Sequence, residues 1–429
     1  MYNLHVKYKK ILCLKTITSS LSIKTELTYM KIISGGVTAP KGFKAAGVSC
    51  GIKKDNKKDL AIICSDDIAI AAGVFTKNVV KGHSLQLTME YIKKGCAKAV
   101  VINSGNANAC VGEAGFKNAK EIAEVTGNLL GCDPENILVG STGVIGVPLD
   151  MPKILNGVKE TALKLSPEGS NDAVEAIMTT DLVKKEMAVE IDIQGKKARI
   201  GAIAKGSGMI HPDMATMISV ITTDVNISKE LLDKALKEAV AHTFNRVSVD
   251  GDTSVCDMVV ILANGKAENP GILNEGTEYD TFKSALEFVC EHLSRSIAKD
   301  GEGATKLIEV VVEGAASSDD AYKMVSSIAK SPLVKTAIFG EDANWGRIIT
   351  AAGYSGAEFD PNLIDISIGS LLVCKNGTAL DFDEGEAKKI LEKDEVQIKV
   401  NLKKGTFKDR IWTCDFSYDY VKINGSYRT

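Results

Sequence analysis

Hydrophobic and polar positions alternate along the chain with two periods. Short apolar, β-branched runs bounded by turn residues predict strands, and stretches with apolar residues three and four apart predict amphipathic helices. From residue 33 onward the two kinds of segment take turns. Residues 60–64 and 68–75 read as buried strands joined by an acidic turn at Ser65-Asp66-Asp67. Residues 99–103 form another strand, which delivers Ser104-Gly105-Asn106-Ala107-Asn108 at its end; that stretch suits an ordinary Asn/Gly turn or a pocket lining equally well. Residues 114–130 have helical spacing, with Ala119, Ile122, Ala123, Val125 and Thr126 on one side. A strand at 137–140 leads into a turn at Ser141-Thr142-Gly143. Helices are predicted at 151–165 and 171–178, and strands at 187–193, 198–204 and 216–223. At 228–244 the stripe Leu231, Leu232, Ala235, Leu236, Ala239, Val240 and Phe244 predicts a strongly amphipathic helix, with Ser228 placed to cap it. A strand at 258–262, a surface loop at 266–278, a helix at 281–297, a strand at 307–312, a helix at 321–329 and a strand at 334–339 follow. Short strands and turns then run to the C-terminus. Alternation of this kind predicts an α/β protein, and 429 residues suggest two lobes or one large α/β unit.

Composition changes this picture little. Hydrophobic residues make up 45% and charged residues 25%, as in ordinary soluble proteins. A net charge of −3 gives no electrostatic case for nucleic acid or an acidic membrane surface. No apolar run is long enough to span a bilayer. The 10 cysteines are scattered without a CxxC pair, which predicts reduced, buried thiols in a cytoplasmic protein. Residues 1–29 differ from the rest: Lys7, Lys9, Lys10, Lys15 and Lys24 precede the first acid, Glu26, and there is no arginine. They are expected to be an extension outside the fold, with Met30 as the true start and a targeting role as the lesser reading.

The chemistry centres on residues 205–224. Two glycines, a serine and a proline make the first half a loop, and Thr216 stands where that loop meets the predicted strand. A threonine hydroxyl is a weak nucleophile unless a base lies within reach, and its own α-amine is one solution if the chain is cut at Ala215–Thr216. That amine has a pKa of about 7.7–8.0, so part of it is neutral near pH 7. On local chemistry alone, a plain strand threonine is the favoured reading. His211 and Asp213 flank Thr216, but Pro212 fixes the loop between them, so a Thr–His–Asp triad is the lesser option. Asp250, Asp252 and Asp257 suggest a metal, yet the spacing is not that of an EF-hand and no histidine is near, so a solvated turn is expected and no metal.

The run Lys205-Gly206-Ser207-Gly208-Met209-Ile210-His211-Pro212-Asp213-Met214-Ala215-Thr216-Met217 resembles the autocleavage site of the ornithine acetyltransferases, the ArgJ family of arginine biosynthesis. Other pieces agree in order: Gly35-Gly36-Val37-Thr38-Ala39-Pro40, Asn103-Ser104-Gly105-Asn106-Ala107-Asn108, Ser141-Thr142-Gly143-Val144, Val249-Asp250-Gly251-Asp252, Gly340-Glu341-Asp342-Ala343-Asn344-Trp345 and the terminal Tyr420-Val421-Lys422-Ile423-Asn424. The resemblance spans residues 30–429. It implies layered β-sheets with flanking helices, an ArgJ/DmpA-like N-terminal-nucleophile fold self-cleaved into chains 30–215 and 216–429. It implies Thr216 as nucleophile, Thr142 and Gly143 as oxyanion donors, and Thr179, Lys205, Glu302, Asn424 and Thr429 as substrate ligands. Thr179 is preferred over Thr180 in the Thr179-Thr180-Asp181 segment. Lys205 suits a substrate carboxylate and Glu302 a substrate amino group. The implied reaction moves acetyl from N-acetylornithine to glutamate by a ping-pong route in a heterotetramer, with no metal or organic cofactor; acetyl-CoA stays open as a second donor. Cys256 stands where such proteins commonly carry asparagine. An N-terminal-nucleophile aminopeptidase or amidase, and a non-enzymatic binding protein, are the alternatives.

Overall fold

Strands drawn from both sides of position 216 pair into one mixed sheet in the computed structural model, which describes residues 22–25, 28–54, 56–211 and 217–426. Its strands are β1 (Ser22–Thr25), β2 (Thr28–Ile33), β3 (Phe43–Val48), β4 (Leu60–Phe75), β5 (Cys96–Asn106), β6 (Ile137–Val144), β7 (Lys185–Ile193), β8 (Lys196–Lys205), β9 (Ile218–Thr223) and β10 (Met258–Ala263). The order is β1-β2-β7-β8-β9-β10-β4-β5-β6, with β3 beside β4. β9 and β10 run parallel, as do β5 and β6; the other pairings are antiparallel.

The helices are α1 (His83–Tyr91), α2 (Glu113–Leu130), α3 (Met151–Leu163), α4 (Ser170–Ile177), α5 (Lys229–His242), α6 (Thr277–Lys299), α7 (Ser318–Lys330), α8 (Pro332–Phe339), α9 (Trp345–Gly353), α10 (Glu384–Leu391) and α11 (Tyr418–Ser426). All six residues of β10 are buried. Val259 and Ile261 face a core closed by α5 and α6, while Met258, Val260 and Leu262 face one closed by α4. A strand covered on both faces needs a continuous apolar run rather than an alternating one. A third core packs α2 and α3 on β4, β5 and β6. The predicted stripe of α5 is the buried one, and Ser228 Oγ accepts the Leu231 N–H as its cap.

The second sheet consists of β11 (Leu307–Ala315), β12 (Asp365–Ile368), β13 (Leu371–Lys375), β14 (Thr378–Ala379), β15 (Glu395–Asn401) and β16 (Phe407–Cys414), in the order β14-β13-β12-β15-β11-β16. It has its own core beneath α7, α9 and α10. Leu307, Trp412 and Cys414 belong to the first core instead, so the ends of β11 and β16 join the two layers. The expected class, α/β with layered sheets and flanking helices, is the one observed. No helix among the described residues is long and apolar enough to cross a membrane. The nine described cysteines are all free thiols.

Several elements differ from expectation. Residues 60–75 form one strand, not two: a register shift between Cys64 and Ala69 accommodates Asp66 and Asp67, which stay exposed. A bulge absorbs the acidic pair without reversing the chain. Residues 334–339 are helical. Ser331 Oγ accepts the Val334 N–H and Pro332 opens the first turn, so the Ser-Pro start decides what the short apolar run leaves ambiguous. The expected turns at 104–106 and 141–143 are strand. Ser104 pairs with Thr142 and Gly105 with Gly143, and a Cβ on Gly143 would collide with the Gly105–Asn106 backbone. Only glycine lets β5 and β6 stay paired there. The C-terminal part holds α9, α10 and α11 besides its strands. At the other end, the boundary expected at Met30 falls inside β2, and β1 pairs with it; residues 1–21 lie outside the described residues.

Candidate active site

A cavity of about 370 Å³ opens where the C-terminal ends of β5, β6 and β8 meet the loop before β10 and the last helix. Thr142 and Gly143 of β6, Thr179 and Thr180 after α4, Lys205 at the end of β8, Glu302 between α6 and β11, and Asn424 of α11 all line it. Neighbouring side chains brace several of these segments from behind. Asn103, Asn106 and Asn108 point into the protein. Asn103 Oδ1 accepts from Ser141 Oγ at 2.6 Å, Asn106 Oδ1 accepts the Asn108 N–H, and Asn108 Nδ2 donates to Ser84 Oγ and to the Gly115 carbonyl. The Asn-rich stretch therefore stiffens the strand ends, and only its Ala107 reaches the cavity. Lys53 Nζ donates to the carbonyls of Ala176 and Met178, satisfying the end of α4 just before Thr179.

A buried ionic clamp unites three lining segments. Lys185 Nζ donates to Asp181 Oδ1 at 2.7 Å and to Asp300 Oδ2 at 2.5 Å. Asp181 also accepts the N–H groups of Thr179 and Gly206, and Asp300 accepts that of Leu182. Ser207 links the same segments, donating from Oγ to the Asp300 carbonyl and accepting the Glu302 N–H on its own carbonyl. Glu302 Oε2 in turn accepts from Asn424 Nδ2 at 2.9 Å. Gly208 makes room for that carboxylate, since a Cβ there would collide with it. α11 is drawn in by Phe416, whose ring stacks on Tyr420 at 4.6 Å and carries the buried Lys335 ammonium 4.3 Å above it.

The cavity is electrically polarised. Burial lowers the Lys205 pKa and Lys185 lowers it further, while Asp181 and Asp257 oppose them. Burial also works against an ionised Asp181, yet Lys205 and Lys185 outweigh it and hold that carboxyl below the usual range. Burial raises Asp250 and lifts Asp257 well above a normal carboxyl. Tyr420 is pushed up to about 12 by burial and by the neighbouring acids Asp250, Asp252 and Glu302. The cavity thus brings the Lys205 amine together with the carboxyl groups of Asp250, Asp252 and Glu302.

The strand that follows position 216 starts at this wall. Met217 N–H donates to Asp257 Oδ1 at 3.0 Å, and the Met217 carbonyl accepts the Met258 N–H. Lys205 pairs with Ile218 across β8 and β9. On the N-terminal side of position 216, Asp250 accepts the N–H groups of Met209 and Ile210 and holds Met209 at a φ of +57°. A non-glycine residue in that region is strained, and such strain collects at functional sites.

The ArgJ family profile matches residues 44–429. The chain belongs to the ArgJ family. It is 53% identical over 405 residues to the arginine biosynthesis bifunctional protein ArgJ of Caldanaerobacter subterraneus subsp. tengcongensis, an alignment covering 93% of this chain and 100% of that one. With the Bacillus subtilis protein of the same name the identity is 46% over 398 residues, covering 92% and 97%. A solved structure of the Bacillus halodurans ArgJ protein is 50% identical and covers 48% of this chain and 97% of its own, with a TM-score of 0.47.

Of the residues expected from the ArgJ resemblance, Thr142, Gly143, Thr179, Lys205, Glu302 and Asn424 share this one cavity. Thr180 lines it beside Thr179. Ala215, Thr216 and Thr429 lie outside the described residues, as does Asp213. His211 borders a separate groove with Tyr322, Lys330 and Tyr354, and its Nδ1 stands 3.3 Å from Ser248 Oγ. The 250–257 segment is not the solvated turn expected. Asp257 is fully buried, Asp250 holds backbone amides, and Asp252, Thr253 and Ser254 line the cavity. Met209 and Tyr420 line it too. No spacing announces them, because their neighbours come from distant parts of the chain. The Lys185 clamp was equally hidden: Lys184 is exposed and Lys185 buried, and nothing in a Lys-Lys pair says which.

Proposed function

We propose that the chain is a self-cleaving acetyltransferase of arginine biosynthesis, carrying acetyl from N-acetylornithine to glutamate. The observation that carries this reading is the single cavity holding Thr142, Gly143, Thr179, Lys205, Glu302 and Asn424, next to the strand that begins two residues after Thr216.

The Thr216 hydroxyl first attacks the Ala215 carbonyl. The peptide C–N bond breaks as the ester forms, and water then hydrolyses the ester to leave Ala215 as a carboxylate and Thr216 with a free amine. In each later cycle that amine takes the hydroxyl proton while Oγ attacks the acetyl carbonyl of N-acetylornithine. Thr142 and Gly143 stabilise the tetrahedral oxyanion, the C–N bond breaks, and the proton passes to the leaving ornithine amine. The glutamate amine then attacks the acetyl-threonine ester and departs as N-acetylglutamate. Both amino acids present an α-carboxylate to Lys205 and an α-nitrogen to Glu302 and Asn424, so one pocket serves both half-reactions. The reaction needs no metal or organic cofactor. Acetyl-CoA is a second donor consistent with the word bifunctional in the relatives' names. Segments 30–215 and 216–429 form the two fragments, Thr429 completes the substrate site, and a pair of such units makes the heterotetramer, placed in the cytoplasm.

The test is the intact mass of the purified protein under denaturing conditions, with N-terminal sequencing. Two fragments are expected, one starting Thr216-Met217-Ile218, together with acetyl transfer from N-acetylornithine to glutamate. A folded, uncut chain that transfers nothing refutes the reading; net hydrolysis without transfer makes it an amidase.

Lys205 gives a pH prediction. It binds a carboxylate only while protonated, and burial lowers its pKa, so KM for glutamate should rise on the alkaline side as pH passes through that lowered value. Asp181 works against the lowering. Asp181→Asn should therefore move the alkaline rise in KM to lower pH; an unmoved or upward-shifted limb means that Lys205 is not the carboxylate ligand.

A further inference from the structure

The polar residues of the cavity account for the amino-acid part of a substrate but leave the acyl group unexplained. Ala107, Ile145, Val255 and Cys256 line the same cavity. With Ala109 they form an apolar cluster of their own, separate from the four large cores. The cluster sits beside the oxyanion strand, because the Ala107 N–H donates to the Val144 carbonyl at 2.9 Å and Ile145 continues β6. It also sits beside the nucleophile's strand, because Val255 and Cys256 directly precede Asp257, the acceptor for Met217 N–H. Cys256 Sγ donates to the Ala107 carbonyl at 3.4 Å and so closes the two halves on each other.

An acyl carbon held by its oxygen has little choice of where its methyl goes. Standard bond lengths place that methyl about 2.4 Å from the oxygen. With the oxygen at Thr142 and Gly143, the methyl lies within contact distance of the wall next to them, and the apolar part of that wall is this cluster. The wall cannot retreat easily. Ala107 is 2%, Cys256 4% and Val255 8% exposed, and Asn106 and Asn108 on either side of Ala107 are held by buried hydrogen bonds.

We propose that Ala107, Ile145, Val255 and Cys256 form the acyl pocket, which admits an acetyl group and rejects longer acyl chains. The proposal rests on the acetyl-transfer reading and adds the determinant of acyl length. The test compares kcat/KM for N-acetyl-, N-propionyl- and N-butyrylornithine, with glutamate as acceptor, in wild type, Val255→Ala and Ile145→Ala. One methylene more or less in an apolar pocket changes kcat/KM about 10- to 200-fold. The wild type should lose activity by at least the lower figure with each added carbon, and both variants should raise the propionyl-to-acetyl ratio about tenfold or more. Ile145 is only partly buried, so its variant serves even where Val255→Ala does not fold. Variants that transfer acetyl with an unchanged propionyl-to-acetyl ratio overturn the acyl pocket while leaving the acetyltransferase reading intact. A wild type that transfers no acetyl from N-acetylornithine defeats that underlying reading instead, and the two failures are distinguishable in one set of assays.

Discussion

A Thr216→Ala protein should remain a single chain and lose acetyl transfer by on the order of 10⁴-fold or more, the scale seen when a nucleophile is removed from an assembled site. The two losses are coupled because one oxygen performs both reactions. It attacks the Ala215 carbonyl to make the amine, and it attacks the acetyl carbonyl with that amine as base. Alanine removes the oxygen and keeps the backbone, so Asp257 should still hold the Met217 N–H and the fold should survive. Thr216→Ser keeps the oxygen and should still cleave, which separates loss of chemistry from loss of shape. Denaturing mass spectrometry reads the cleavage, and a coupled assay of N-acetylglutamate reads the transfer. An alanine variant still cut between residues 215 and 216 would remove the basis of the mechanism.

Lys185→Met should be the most destabilising single change around the cavity. Lys185 and Asp181 have no exposed side-chain surface, and Asp300 only 5%. Replacing the ammonium strands two carboxylates in a low-dielectric interior, and breaking a buried pair from one side costs about 3–5 kcal/mol. The consequences reach the substrate as well, since Asp181 anchors the Thr179 and Gly206 amides and the Asp300 carbonyl anchors Ser207. Lower melting temperature and raised KM should therefore appear together. Adding Asp181→Asn and Asp300→Asn removes the stranded charges and should return part of the lost stability. A single variant melting within about two degrees of wild type would show the clamp to be idle. The clamp also sets a pH dependence. The Asp181 carboxyl is held below its ordinary range, so its contribution is present above the unfolded carboxylate pKa and is lost as pH falls through the lowered folded value. Asp300, raised by burial, acts in the opposite sense.

Which parts could be read from the chain depends on how local their causes are. β10 and the stripe of α5 were legible because burial on two faces or on one leaves a periodic signature. The helix at 332–339 was not, since residues 334–339 hold only four apolar positions around Lys335 and Thr336, too short a stretch to fix a period, and the decision lay in Ser331 and Pro332 before them. The bulge in β4 was hidden because Asp66 and Asp67 look like a turn whether or not the chain reverses. At the site, the expected residues Thr142, Gly143, Thr179, Lys205, Glu302 and Asn424 line one cavity. Contacts between partners far along the chain, such as Asp250 under Met209 or Lys335 over Phe416, carried no local mark. The acyl cluster was equally silent: Ala107 and Cys256 are small apolar residues like dozens of others, and only their convergence distinguishes them.

β9 and β10 lie between β8 and β4, yet they follow both of those strands in the chain. While the polypeptide emerges from the ribosome, β4 is complete long before the two strands that join it to β8 exist, and β8 is complete before either of them. Each offers a row of unpaired backbone amides and carbonyls across a gap two strands wide, and such edges recruit other strands from neighbouring chains. Synthesis of residues 206–263 is thus a window in which the half-made sheet depends on chaperones or on speed to avoid aggregation. Expressing residues 1–215 alone should prolong that window indefinitely and yield inclusion bodies, whereas supplying residues 216–429 in the same cell should restore soluble protein.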